Sequence, residues 1–131
     1  MDPISVLIAD DEEDVLDIMV RKISEQGYVV SKANNGLTAW EKIQTANPDV
    51  IVLDINMPGL SGFEVLKKLR DNPPSSKWQP VIMVSARREL EDIKQGYSLE
   101  ADHYITKPCK ISDILKAIQL MHNLSSQRKT S

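Results

Sequence analysis

Five short apolar runs rich in Val and Ile, at residues 4–9, 28–33, 50–53, 81–84 and 104–106, have the length and composition of β-strands. Ile51-Val52-Leu53 and Val81-Ile82-Met83-Val84 carry no polar alternation, which is the signature of central parallel strands covered on both faces. Between the runs the period switches to that of a helix. Val15, Ile18, Met19 and Ile23 form one stripe, Leu37, Trp40 and Ile43 a second, and Phe63, Leu66 and Leu69 a third. Leu90, Ile93 and Tyr97 form a fourth, and Ile111, Ile114, Leu115, Ile118 and Met121 a fifth. Strand and helix alternate five times, a pattern that calls for an α/β domain built on a doubly wound parallel sheet with five helices.

The punctuation agrees. Gly27 follows the first helix, Asn34-Asn35-Gly36 leads into the second, and Asn47-Pro48 closes it. One connection is long: Asn72-Pro73-Pro74-Ser75-Ser76-Lys77-Trp78-Gln79 reads as an exposed loop before the fourth strand. Residues 125–131 are polar, end near Arg128-Lys129 and read as a tail or the start of a linker, so the domain is expected to span residues 1–124. No repeat or low-complexity tract is present.

Composition narrows the field of functions. A chain of 131 residues fits one core that buries roughly two-thirds of the unfolded surface. Sixteen Lys plus Arg against nineteen Asp plus Glu give a net charge of -3, which argues against direct binding of nucleic acid. The single Cys109 excludes an internal disulfide, and with two His the chain has no ordinary Cys/His zinc cage. No apolar stretch approaches the ~20 residues of a membrane span, so a reducing, cytoplasmic setting without a signal peptide is expected.

The candidate chemistry lies at the strand ends. Ligands of open parallel sheets bind beyond the carboxyl ends of the strands. There the first strand ends in Asp10-Asp11, the third in Asp54 and the fourth in Ser85, and the fifth leads to Lys107-Pro108. With the strands in the order 2-1-3-4-5, the first and third are neighbours and the three acids share one pocket. Two carboxylates ~4 Å apart repel by roughly 4 kcal/mol at an effective dielectric near 20, a burden that a hard cation relieves. An all-oxygen donor set suits Mg²⁺ with retained waters. A carboxylate beside Mg²⁺ and an ammonium can act as a nucleophile toward phosphorus. Asp54 is the candidate nucleophile, Ser85 a hydroxyl donor to the phosphoryl oxygens and Lys107 a mobile point charge.

These residues fall in four ordered blocks: Leu7-Ile8-Ala9-Asp10-Asp11, Val52-Leu53-Asp54-Ile55-Asn56-Met57-Pro58-Gly59 continuing to Gly62, Val84-Ser85-Ala86, and Ala101-Asp102-His103-Tyr104-Ile105-Thr106-Lys107-Pro108. Together they resemble the receiver domain of bacterial two-component response regulators, over roughly residues 4–124. The resemblance implies a flavodoxin-like fold and a phosphoryl group accepted on Asp54 from the phosphohistidine of a sensor histidine kinase or a histidine phosphotransfer protein. It also implies Mg²⁺ held by Asp11, Asp54 and the backbone carbonyl of Asn56, with Asp10 acting through water. Ser85 and Tyr104 would be the switch pair, and the Lys107-Pro108 peptide would be cis. The fourth helix, fifth strand and fifth helix would form the output face, with a phosphorylation-dependent homodimer as one outcome. Cys109 and Glu100 stand where the family usually has Phe and Gly, and Arg87 places a cation near the pocket rim.

Competing readings follow from the same residues. An aspartyl-phosphate phosphatase of the haloacid-dehalogenase-like type needs a second Asp two residues after the nucleophile, where this chain has Asn56. A degenerate receiver that acts only as an interaction module would not need the acids, Ser85 and Lys107. The chain could be a stand-alone regulator or part of a larger hybrid kinase or transcription factor. His103 and His122 are expected to face solvent, Cys109 to be a small buried filler, and Trp40 and Trp78 to serve packing and the long loop.

Overall fold

The structure, a computed structural model, describes residues 3–87 and 90–125. Strands β1 (Ser5–Ala9), β2 (Val29–Ala33), β3 (Val50–Leu53), β4 (Val81–Ser85) and β5 (His103–Thr106) alternate with helices α1 (Glu13–Ser24), α2 (Gly36–Ala46), α3 (Gly62–Asp71), α4 (Leu90–Ser98) and α5 (Ile111–Ser125). All pairings are parallel and the sheet order is β2-β1-β3-β4-β5, as the sequence pattern and the resemblance imply. Ser125 is buried as the last residue of α5, and the rest of the expected tail, 126–131, lies outside the described residues.

The alternation of side chains along each strand sorts the core into two layers. Leu7, Ile51, Leu53 and Met83 face α2 and α3, where Ile43, Phe63, Leu66 and Leu69 cover them. Val6, Ile8, Val52 and Ile82 face the opposite way, onto Leu16, Met19 and Ile23 of α1 and Ile114 and Ile118 of α5. Helix ends are fixed by side chains. Asn35 Oδ1 accepts from the Thr38 amide at 2.8 Å, and Ser61 and Glu64 form a reciprocal capping box at the start of α3. Asn47 closes α2 with φ +47°, a left-handed cap that Asn adopts readily.

Three expected stripes need correction. Ile18, Leu37, Leu90 and Tyr97 are all exposed, and α1 buries Leu16 in place of Val15, which is only half-buried. Neighbouring helical residues differ by ~100° of rotation, so Ile18 and Leu37 flank the buried seams of α1 and α2, whereas Leu90 and Tyr97, seven residues apart, share an exposed face of α4. In α4 the fully packed position is Gly96, not an apolar side chain. A Cβ there would sit 3.2 Å from the Tyr104 ring and 3.6 Å from Phe63, so glycine lets the helix approach closely despite its low helical propensity. Beyond α4, Glu100 holds φ +65° in a Schellman turn in which the Ala101 amide donates to Gly96 O and the Glu100 amide to Tyr97 O.

The end of the sheet away from the acids is closed by a clasp. Arg70 stacks on Trp78 with 3.8 Å to the ring centroid, and donates to Glu100 O, Gln79 O and Asp102 Oδ2, each at 2.9 Å. Asp102 also accepts from Trp78 Nε1 at 3.0 Å and from the Val81 amide at 2.8 Å. The long loop before β4, expected to be exposed, thus ends in a buried Trp78 and Gln79.

Candidate functional site

Asp10, Asp54 and Lys107 each stand one residue past a strand, yet their amides still bond to the adjoining strand. Asp10 N donates to Ala33 O, Asp54 N to Ala9 O and Lys107 N to Ser85 O, at 3.1, 3.0 and 2.8 Å. The register that pairs Ala9 with Leu53 sets Asp10 beside Asp54. Their placement is therefore a property of the sheet rather than of mobile loops.

Carboxylate oxygens of Asp10, Asp11 and Asp54 lie within 4.8 Å of one another. Asp10 and Asp54 are buried at 1% and 7% exposure, and Asp11 is exposed. Lys107 Nζ donates to Asp10 Oδ2 at 2.9 Å and to Asp54 Oδ2 at 3.3 Å. The Asp10 carboxylate is also held by the Glu12 amide, and that of Asp54 by the Asn56 amide. Burial pushes the Asp54 carboxyl above its ordinary pKa; Lys107 opposes this and the charge of Asp10 reinforces it, leaving the net shift upward. For Lys107, burial works against the ammonium, but the bond to Asp10 and the charges of Asp54 and Asp10 prevail and raise its pKa. The ammonium is therefore secure at neutral pH.

The raised carboxyl has a consequence for stability. The native state binds the Asp54 proton more tightly than the unfolded chain, so the favourable contribution is complete below the ordinary value of 3.8 and is lost as pH rises through the folded value. In metal-free buffer at neutral pH, Asp54→Asn is expected to melt at a higher temperature than wild type. That advantage should shrink as the pH falls toward 4, which thermal unfolding across the range will show.

Whether a metal fits here is a question of donors. Three carboxylates against one ammonium leave two uncompensated negative charges, all on oxygen, with the exposed Asp11 on the open side. That set of carboxylates matches a hard divalent ion that keeps part of its water.

The backbone that carries Asp54 onward is fixed by two close approaches. A Cβ on Gly62 would lie 2.3 Å from Asp54 O, and one on Gly36 would lie 1.8 Å from Leu60 O. The Gly62 amide donates to Ile55 O at 2.8 Å and the Gly36 amide to Pro58 O at 3.0 Å. The glycines at the starts of α2 and α3 therefore hold the loop containing Asn56. The sequence marks Gly36 as a turn residue and Gly62 as the end of a block that carries the resemblance, and neither mark announces how closely these backbones approach the loop.

Ser85 is fully buried and its Oγ accepts from the Arg87 amide at 3.2 Å. Tyr104, 9% exposed, donates its hydroxyl to Arg87 O at 2.9 Å, and burial raises its phenol pKa. The expected switch pair is thus joined through the backbone of Arg87. The guanidinium of Arg87 donates to Asn56 Oδ1 at 2.7 Å, a contact that no spacing in the sequence announces. The Lys107-Pro108 peptide is cis.

Residues 6–119 match the family described as Response regulator receiver domain. The chain belongs to that family. This receiver domain is 39% identical over 103 residues to the alkaline phosphatase synthesis transcriptional regulatory protein PhoP of Bacillus subtilis, covering 79% of the chain and 42% of that protein. It is 31% identical over 119 residues to the probable transcriptional regulatory protein TcrX of Mycobacterium tuberculosis, covering 91% and 50%. Among solved structures, the Francisella response regulator 1452 receiver domain superposes with a TM-score of 0.86 at 33% identity, covering 94% of this chain and 98% of that one. The receiver domain spans about half the length of the curated relatives it matches. No helix among its described residues is long and apolar enough to cross a membrane. Two lesser expectations are corrected: Cys109, just after the cis Lys107-Pro108 peptide, is half-buried rather than sealed in the core, and His103 and His122 are half-buried rather than solvent-facing.

Proposed function

We propose that this receiver domain accepts a phosphoryl group on Asp54 from the phosphohistidine of a sensor histidine kinase or histidine phosphotransfer protein. The observation that carries the reading is Lys107 Nζ bridging Asp10 and Asp54 inside a cluster of three acids. An Asp54 carboxylate oxygen forms the O–P bond as the P–N bond of the donor breaks. The imidazole leaves with the electron pair and, already protonated on its other nitrogen, as the neutral ring. Asp11, Asp54 and the Asn56 carbonyl would hold Mg²⁺, with Asp10 supporting it through water; bound there, the ion screens charge gathering on the carboxylates and phosphoryl oxygens. Lys107 shifts from the carboxylates toward the new phosphoryl oxygens, and Ser85 turns its hydroxyl from the Arg87 amide to one of them, with Tyr104 following.

The output is a shift between two conformations of the face made by α4, β5 and α5, which changes affinity for a partner or a second copy of the chain. The transcriptional regulators among the relatives favour a cytoplasmic signalling role of this kind. Mg²⁺ at millimolar concentration is expected to raise the melting temperature through binding linkage, by about 2 to 3 kcal/mol of stability when it exceeds its dissociation constant a hundredfold. Asp11→Ala should remove most of that gain. An unchanged melting curve contradicts the metal site. Multiple turnover of ordinary phosphomonoesters, in place of one phosphoryl group per chain, would instead mark a phosphatase.

A further inference from the structure

We propose that Asn34, in the turn after β2, is a positioning residue for Mg²⁺: by holding Glu13 it fixes the turn that presents Asp11. This rests on the metal site proposed above. The turn runs from Asp10 to Glu13, and its two ends are tied differently. At the β1 end the sheet fixes Asp10, whose amide donates to Ala33 O at 3.1 Å and whose Oδ1 accepts from the Glu12 amide at 2.9 Å. At the α1 end Glu12 is the N-cap, but among the described residues its side chain makes no cap bond, so the helix lacks the usual anchor of its own. Asn34 supplies one from outside, its Nδ2 donating to Glu13 Oε1 at 2.6 Å.

Asn34 is itself held. Its Oδ1 accepts from Asn35 Nδ2 at 2.9 Å, and Asn35 Oδ1 caps α2 through the Thr38 amide at 2.8 Å. Ala33, just before it, is buried and paired with Ala9 in the β1–β2 register. A chain of bonds thus runs from the start of α2 to the start of α1, and the exposed Asp11 lies between the two tied ends of its turn. A carboxylate on a turn that is already ordered loses less conformational freedom when an ion arrives, so the brace raises affinity without touching the metal. The charge of Glu13 stays in the first turn of α1, where the helix dipole favours it. Asn34 is neutral, so its contribution is one of position and not of charge.

The test is Mg²⁺ binding by the full chain, measured by calorimetry. Asn34→Ala should bind Mg²⁺ about fivefold more weakly than wild type, and by the same factor at low and high salt because no charge has changed. Without metal, ¹⁵N relaxation should show the Asp11 amide more mobile in that variant. Its melting temperature should stay within about 3 °C of wild type, since Asn34 and Glu13 are both exposed. Glu13→Gln combined with Asn34→Asp reverses the direction of the bond and keeps the charge of the pair, so the double variant should bind within about twofold of wild type. Wild-type affinity in Asn34→Ala, an Asp11 amide as ordered as before, an affinity loss matched by a large fall in melting temperature, or a double variant as weak as Asn34→Ala would overturn the role of Asn34. Failure of the wild-type chain to bind Mg²⁺ would instead overturn the metal site.

Discussion

Incubated with Mg²⁺ and a small acyl phosphate, the wild-type chain is expected to gain one phosphoryl group, and Asp54→Asn none. The loss is chemical rather than structural. The asparagine amide is not a nucleophile toward phosphorus, but its Oδ1 can still accept from the Asn56 amide, and it removes a buried charge crowded by Asp10. The variant should therefore fold at least as well as wild type while failing to react. Lys107→Ala should retain the acceptor and react more slowly, by about 10²-fold, because a positioned donor to the developing charge is gone. Intact-mass spectrometry reads both variants. A phosphoryl group retained in Asp54→Asn would place the chemistry elsewhere.

Asp102→Ala is expected to lower stability by about 3 to 5 kcal/mol, a large part of the 5 to 15 kcal/mol typical of a domain. Removing the carboxylate leaves the Arg70 guanidinium, 9% exposed, without its ion pair, and strips acceptors from Trp78 Nε1 and the Val81 amide. Arg70→Ala should be milder, because Asp102 keeps those two donors. Urea unfolding checks the order. Equal losses in the two variants would show that the stacking of Arg70 on Trp78, rather than the carboxylate, holds the clasp.

The strands were legible because covered parallel strands need unbroken Val and Ile: the Val50–Leu53 bounds agree with the sequence reading, and β4 and β5 each extend by one residue, to Ser85 and from His103. The site was legible for a related reason. Asp10, Asp54, Ser85 and Lys107 close the strands or follow them directly, and a parallel sheet brings its carboxyl ends together. Contacts made by long side chains across loops had no such signal. Arg70 meets Asp102 across 32 residues and Arg87 meets Asn56 across 31, and neither pair follows a helical or strand period. In α4 the apolar residues misled, since the close approach to Tyr104 is made by Gly96, which carries no hydrophobic signal.

The central claim is that the crowded carboxylates around Lys107 make Asp54 the phosphoryl acceptor, and reductive trapping tests it at a single atom. Borohydride reduces an acyl phosphate to an alcohol, so a phosphorylated aspartate is converted to homoserine and located by peptide sequencing. With donor and Mg²⁺ present, homoserine is predicted in place of Asp54 and at no other acid. Conversion at another aspartate, or a stable phosphoryl group on Ser85 with Asp54 intact, would contradict it.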